Sequence, residues 1–267
     1  MRSSEKVQKL SNRNWDKHLK QFSTDGYFVL ENVFNDSFVK KCRSDIESAI
    51  RKETEFLNDA NTTNHAMVVM CPLYGTSFLE VFDNPDFTKG FEMIMGAGSI
   101  IYSYTSSSMP PNATNYSYRV HVDCPRIIPN FITNMGAIIA LDDFKKENGA
   151  TWVLRGSHTR PDQPTEDEFF KNAEQIGCKA GDVIYLNSRL WHSGGLNKTE
   201  KWRHSTTVGV CRPWMKQRLD FPRMLSKHES SLSDVAKQKF GFWTQVPASY
   251  DEYFAPPEKR KYRQKAE

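Results

Sequence analysis

Three residues of this chain can hold one metal ion. His121-Val122-Asp123 lies in the strand-like run YRVHVD (118–123), and on a strand the side chains at i and i+2 point to one face. An imidazole and a carboxylate then reach the same ion. An H-x-D alone says little, and a second feature gives it weight. GDVIYL (181–186) reads as a turn into a short strand, and the chain runs on through LWHSGG (190–195) to RHS (203–205). The Ser-Gly-Gly turn after His192 sends the chain back, so Arg203 is expected on a neighbouring strand close to His192. Two imidazoles and one carboxylate form a facial N,N,O set with three octahedral positions open, the arrangement of non-haem Fe(II) oxygenases rather than of a closed zinc site. An arginine near such an ion grips a carboxylate through a planar two-point contact, and the natural carboxylate is the distal end of 2-oxoglutarate.

The motifs occur in a recognisable order. H-x-D is followed by NGATWVLRGSH (148–158), GDVIYL, WHSGG and an Arg eleven residues after His192. This order resembles the phytanoyl-CoA dioxygenase family. DGYFVLENVF (25–34) and the helix after it look like the start of that family's fold, and CRPWMK (211–216) is similar to its closing strand. The likeness spans roughly residues 20–215. One departure is visible: Arg155 stands where the family usually has Pro before Gly-Ser-His, which changes a turn and touches none of the ligands.

The resemblance implies a mainly β fold with flanking helices around a double-stranded β-helix (jelly-roll, cupin-like) core. It implies Fe(II) bound by His121, Asp123 and His192, and Arg203 paired with the C5 carboxylate of 2-oxoglutarate. Dioxygen is the other cosubstrate. The reaction is oxidation of an unactivated C–H bond, with succinate and CO2 as co-products. Ser205 shares Arg203's strand face and Thr151 lies in N-G-A-T, so both are expected to help hold the cosubstrate, with Tyr118 pointing into the cavity. Arg126 is expected to anchor an anionic substrate, and Tyr102 and Tyr104, with the uncharged loop 104–117, to face that substrate. His158 is expected to stabilise a turn outside the metal's ligands, His204 to be structural and Cys124 to pack rather than react.

A carboxylate at Asp123 argues for hydroxylation over halogenation, which needs a small residue there so that halide can bind the iron. Desaturation, cyclisation and epimerisation use the same ligands and stay open. Three rival classes remain. A nucleic-acid demethylase would share the triad and need stacking aromatics and phosphate contacts. A zinc hydrolase would not need Arg203 at its offset, and a non-catalytic metabolite-binding barrel would have lost the ligands.

The elements that must position these residues are short. A helix is expected over about 4–22, a strand in YFVLENVF, a helix from Asn35-Asp36 to about Arg51, and a polar loop over 53–66. Beyond residue 96 come SIIYSY, YRVHVD, ITNMGAIIAL, ATWVL, DVIYL and STTVGV, with a helical patch EDEFFKNAEQI and a late helix over 226–240. At 267 residues, without repeat or linker, one domain over 1–267 is expected. The net charge of +4 is concentrated at the end, where residues 258–267 hold five Lys/Arg against two Glu. A nearly neutral body speaks for a small-molecule substrate, and against nucleic acid or a membrane surface. Oligomeric state leaves no signal. Five scattered cysteines (Cys42, Cys71, Cys124, Cys178, Cys211) without a C-x-x-C pair suit a reducing, cytoplasmic setting. No apolar run approaches the ~18 residues of a membrane span.

Overall fold

Asparagine and glycine frame the first element. In the computed structural model, which describes residues 12–59 and 67–262, the Asn14 side chain accepts from Lys17 N–H at 3.1 Å and caps α1 (Trp15–Asp25). Gly26 closes that helix at φ +83°, its N–H donating to the Phe22 carbonyl. A Cβ at Gly26 would lie 2.6 Å from His158 Nδ1, so the turn needs glycine for space as well as for conformation. β1 (Tyr27–Leu30) follows, then α2 (Asp36–Asp59), α3 (Ser77–Glu80) and α4 (Pro85–Met95).

The rest of the chain alternates short strands with loops. In order these are β2 (Ile100–Ser106), β3 (Asn134–Ala140), β4 (Trp152–Val153), α5 (Glu166–Asn172), β5 (Glu174–Gln175), β6 (Val183–Asn187), β7 (His192–Ser193) and β8 (Ser205–Cys211). The C-terminal part carries α6 (Phe221–Met224), α7 (Asp234–Phe240) and α8 (Tyr250–Tyr253). Two antiparallel sheets result, one in the order β1-β6-β3-β8-β2 and one in the order β5-β4-β7. No helix among the described residues is long and apolar enough to cross a membrane.

Several expectations change. The architecture is mixed helix and sheet rather than mainly β, since α2 runs for 24 residues and the longest strands for seven. The polar stretch from residue 53 continues α2 to Asp59, because the buried Glu53 side chain accepts from Val69 N–H at 2.9 Å and holds that turn against the body. The late helix is split. Ser226–Ser231 is a 3-10 segment, and Ser233 starts α7 afresh by accepting from Ala236 N–H at 3.1 Å. YRVHVD is not a regular strand: Tyr116–Tyr118 is a 3-10 turn, and His121 makes a single bridge to His192. Residues 4–11 of the first predicted helix, 60–66 of the predicted loop and the last residues of the basic tail lie outside the described residues.

β3 is buried at every position, and its period-two alternation separates two environments. Met135, Ala137 and Ile139 pack with Phe28, Phe87 and Phe91 under the helices. On the other face Ile138 and Ala140 pack with Val153 and Leu186, and Asn134, Gly136 and Ile138 line a cavity. The helical layer therefore braces the sheet that floors the site. Tyr185 is its pivot: the ring stacks on Phe28 at 4.7 Å, meets Phe91 edge-on at 5.3 Å, and its hydroxyl donates to the Phe87 carbonyl at 2.8 Å. α4 comes so near that a Cβ at Gly90 would enter that ring. Gly90→Ala should therefore lower stability by about 1–3 kcal/mol through overpacking, against the ~1 kcal/mol that alanine gains in a helix. A denaturation midpoint equal to or above the wild type would contradict this packing.

Candidate functional site

The backbone brings His121 and His192 together. Each donates its N–H to the other's carbonyl, at 2.9 and 3.0 Å, the reciprocal pattern of a directly opposed antiparallel pair. Their side chains share one face, with ring centroids 4.2 Å apart. Both rings are oriented alike. His121 Nδ1 lies 2.8 Å from the Arg119 carbonyl and His192 Nδ1 lies 2.9 Å from the Leu190 carbonyl. A carbonyl only accepts, so each Nδ1 carries the proton and each Nε2 keeps a free lone pair. Burial and the neighbouring imidazole hold His121 well below the ordinary histidine range, which keeps it neutral and able to ligate. Asp123 Oδ1 lies 3.7 Å from His121 Nε2. One ligand atom from each of His121, Asp123 and His192 falls within 4.8 Å of the others, the one such His/Cys/Asp/Glu cluster among the described residues.

Arg203 lies beside this cluster, just before β8. Its backbone pairs with Met109, N–H to O at 3.0 Å and O to N–H at 2.8 Å. The side chain is 1% exposed. Nη1 donates to Ser205 Oγ at 2.6 Å and to the Ser107 carbonyl at 3.2 Å, Nη2 donates to the Gly149 carbonyl at 3.0 Å, and the guanidinium covers the Phe144 ring at 4.1 Å. Nε has no partner among the described residues, and no described carboxylate forms an ion pair with the group. Burial lowers its pKa to about 10, so the cation persists at neutral pH. The Gly149 carbonyl reaches it because the backbones at 149 and 195 touch: a Cβ on Gly149 would meet the Gly195 oxygen at 2.9 Å, and one on Gly195 the Ala150 oxygen at 2.6 Å.

A cavity of about 240 Å³ connects the two features, lined by His121, Asp123, His192, Arg203 and Thr151 among others. Of the other residues singled out in the sequence, Tyr102 also lines it, and four do not. Ser205 is fully buried behind Arg203, holding the guanidinium instead of touching the cavity. Tyr104 is 0% exposed in the core, edge-on to Phe78. It parts from Tyr102 because a β-bulge between Ile101 and Ser103 turns Tyr102, with Ser103 and Thr105, toward the cavity. Tyr118 is 45% exposed, since the 3-10 turn there breaks strand alternation and leaves its carbonyl, not its ring, in use as acceptor for Ser193 Oγ. Arg126 follows Pro125 on the surface, outside the lining. His158 ties the second sheet to α1, with Nε2 3.2 Å from the Ser23 carbonyl, and His204 stacks on Trp202 with Nδ1 3.1 Å from Ser108 Oγ. Sequence reasoning missed Arg119, Asn134 and Arg218, which all line the cavity. Arg119, two residues before His121, carried the same i, i+2 signal as Asp123.

The donor set suits a divalent transition metal left partly open, and a buried cation without a carboxylate suits the far end of a dicarboxylate. Comparison with known proteins agrees. An uncharacterized protein, Rv1501, of Mycobacterium tuberculosis is 27% identical over 248 residues, 89% of this chain and 90% of its own. The crystal structure of EvdMO1 matches with a TM-score of 0.60 and 20% identity over 74% of this chain, which spans half the length of that one. The epimerase SnoN, in complex with Fe3+, alpha ketoglutarate and nogalamycin RO, matches with a TM-score of 0.56 and 20% identity over 74% of this chain and 83% of its own. These two likenesses are of fold. The phytanoyl-CoA dioxygenase (PhyH) family matches residues 22–205, well over half of the sequence, and the chain belongs to that family of Fe(II)- and 2-oxoglutarate-dependent oxygenases.

Proposed function

We propose that the protein hydroxylates a C–H bond of a small-molecule metabolite, with His121, Asp123 and His192 holding Fe(II) and Arg203 receiving the C5 carboxylate of 2-oxoglutarate. One observation carries this reading: a guanidinium 1% exposed, without a carboxylate partner among the described residues, in one cavity with an imidazole, imidazole, carboxylate set. When bound, iron and 2-oxoglutarate supply dioxygen activation and removal of a substrate hydrogen, with succinate and CO2 leaving. The protein supplies orientation. The Arg119 and Leu190 carbonyls hold both imidazoles by Nδ1, so that each Nε2 lone pair would be available to the ion. Ser205, Ser107 and Gly149 fix the guanidinium so that a carboxylate meets a preset fork, and Thr151 lines the same cavity. A carboxylate at Asp123 would take the place a halide needs on the ion, which favours hydroxylation. The same residues serve desaturation, cyclisation or epimerisation, and product analysis distinguishes these. A cavity of about 240 Å³ with Gly136, Gly209, Ser103 and Thr105 in its walls suits a small substrate.

The two antiparallel sheets, with the site between them, support a double-stranded β-helix core over about 20–215, within a single domain that the C-terminal helices extend. Five cysteines, all free in the structure, suit a cytoplasmic setting.

Anaerobic addition of Fe(II) and 2-oxoglutarate should give a visible iron-to-ketoacid charge-transfer band, absent in His121→Ala and His192→Ala proteins that remain folded. No band in the wild type, or an unchanged band in these variants, would sink the reading. Arg203→Met should weaken 2-oxoglutarate binding at least about 100-fold, the loss expected when a buried charge partner is truncated. Ser205→Ala removes a single hydrogen bond to the guanidinium and should cost about three- to tenfold. Equal titration midpoints for wild type and Ser205→Ala would show that the hydroxyl does not set the fork.

A further inference from the structure

The charges lining the cavity do not balance once the cofactors are counted. Bound iron(II) with Arg203 carries as much positive charge as Asp123 with the 2-oxoglutarate dianion carries negative. Two more arginines line the same cavity, Arg119 and Arg218, and Asp123 is the only acid in its wall among the described residues. Both arginines are exposed, and neither forms an ion pair with a described carboxylate. Elsewhere on the surface Arg43, Arg155 and Arg160 each hold one, at 2.9, 2.7 and 2.7 Å.

Both are tied to the site's own framework. Arg218 N–H donates to the carbonyl of Tyr102, the bulged residue that faces the cavity, at 3.0 Å. Its neighbour Gln217 donates from Nε2 to the Ile101 carbonyl at 2.8 Å and to the Phe240 carbonyl at 3.2 Å, which holds the segment between β2 and α7. The Arg119 guanidinium lies over the Tyr116 ring at 4.3 Å, while the same residue's carbonyl orients His121. Two guanidinium forks of like charge at one cavity concentrate anions there and fit a planar or tetrahedral oxyanion.

We propose that the substrate carries an anionic group, a carboxylate or a phosphate, which Arg119 and Arg218 bind at the cavity mouth. This rests on the Fe(II)- and 2-oxoglutarate-dependent reading above, and it moves the anion anchor from Arg126, which lies outside the cavity, to two residues inside it.

The test uses matched compounds. The charge-transfer band of the Fe(II)- and 2-oxoglutarate-loaded protein is recorded first, under anaerobic conditions; its absence would be a failure of the cofactor reading, not of this one. Carboxylic acids are then added beside their methyl esters and amides, and phosphate monoesters beside their parent alcohols. Anionic members should perturb the band and their neutral counterparts should not, and the two arms show whether carboxylate or phosphate is preferred. Arg218→Gln and Arg119→Gln should each weaken the best anionic compound at least tenfold, and in Arg218→Gln the 2-oxoglutarate midpoint should stay the same. Calorimetry of that compound with the metal-free proteins should show the same loss. Neutral compounds perturbing the band as strongly, an anionic compound keeping its affinity in both variants, or a library in which no anionic member perturbs the band would overturn the proposal.

Discussion

A guanidinium buried to 1% exposure, in no ion pair with a carboxylate among the described residues, is the constraint around which this site is arranged. Removing such a charge from water costs several kcal/mol unless its donors are met. Here two carbonyls, one hydroxyl and an aromatic face surround it, drawn from three parts of the chain: Ser107, the loop from Phe144 to Gly149, and Ser205. The Gly149 carbonyl is available only because glycine stands at both 149 and 195, where any side chain would drive two backbones apart. Ser205 opens β8 opposite Ala140 of β3, so the register of the large sheet places the hydroxyl under the guanidinium. The cation is thus neutralised only in part, by dipoles, and a carboxylate would complete the arrangement.

From that closed end the cavity opens in one direction. His192 is 7% exposed, the His121 side chain 18% and the Asp123 side chain 43%. Arg119 and Arg218 continue the gradient into solvent. This order suits a cosubstrate held deep against Arg203 and a substrate admitted last, over the exposed side of the candidate metal ligands. The floor stays low because Gly136 and Gly209 face each other across β3 and β8, leaving space next to Asp123 where paired side chains would otherwise project.

His121, Asp123, His192 and Arg203 were legible because each lies in a short local motif whose order along the chain is informative. YRVHVD does not form a strand, yet a single reciprocal bridge at His121 turns that ring toward His192. Other features had no local signature. The bulge that parts Tyr102 from Tyr104 follows from how β2 meets β8, not from composition. Arg218 belongs to an irregular stretch placed by one backbone bond and a glutamine bridge, which no periodicity announces. The length of α2 depended on Glu53 finding the Val69 amide across a segment distant in the sequence.

Arg203, buried and in no ion pair with a described carboxylate, is the group proposed to receive the distal carboxylate of the cosubstrate. The most direct test is calorimetric binding of 2-oxoglutarate and of 2-oxopentanoate, which lacks that carboxylate, to wild-type and Arg203→Met proteins loaded with Fe(II) under anaerobic conditions. The wild type should prefer 2-oxoglutarate by at least about 100-fold, and the variant should bind the two compounds within a few-fold of each other. A preference that survives in the variant would contradict the account.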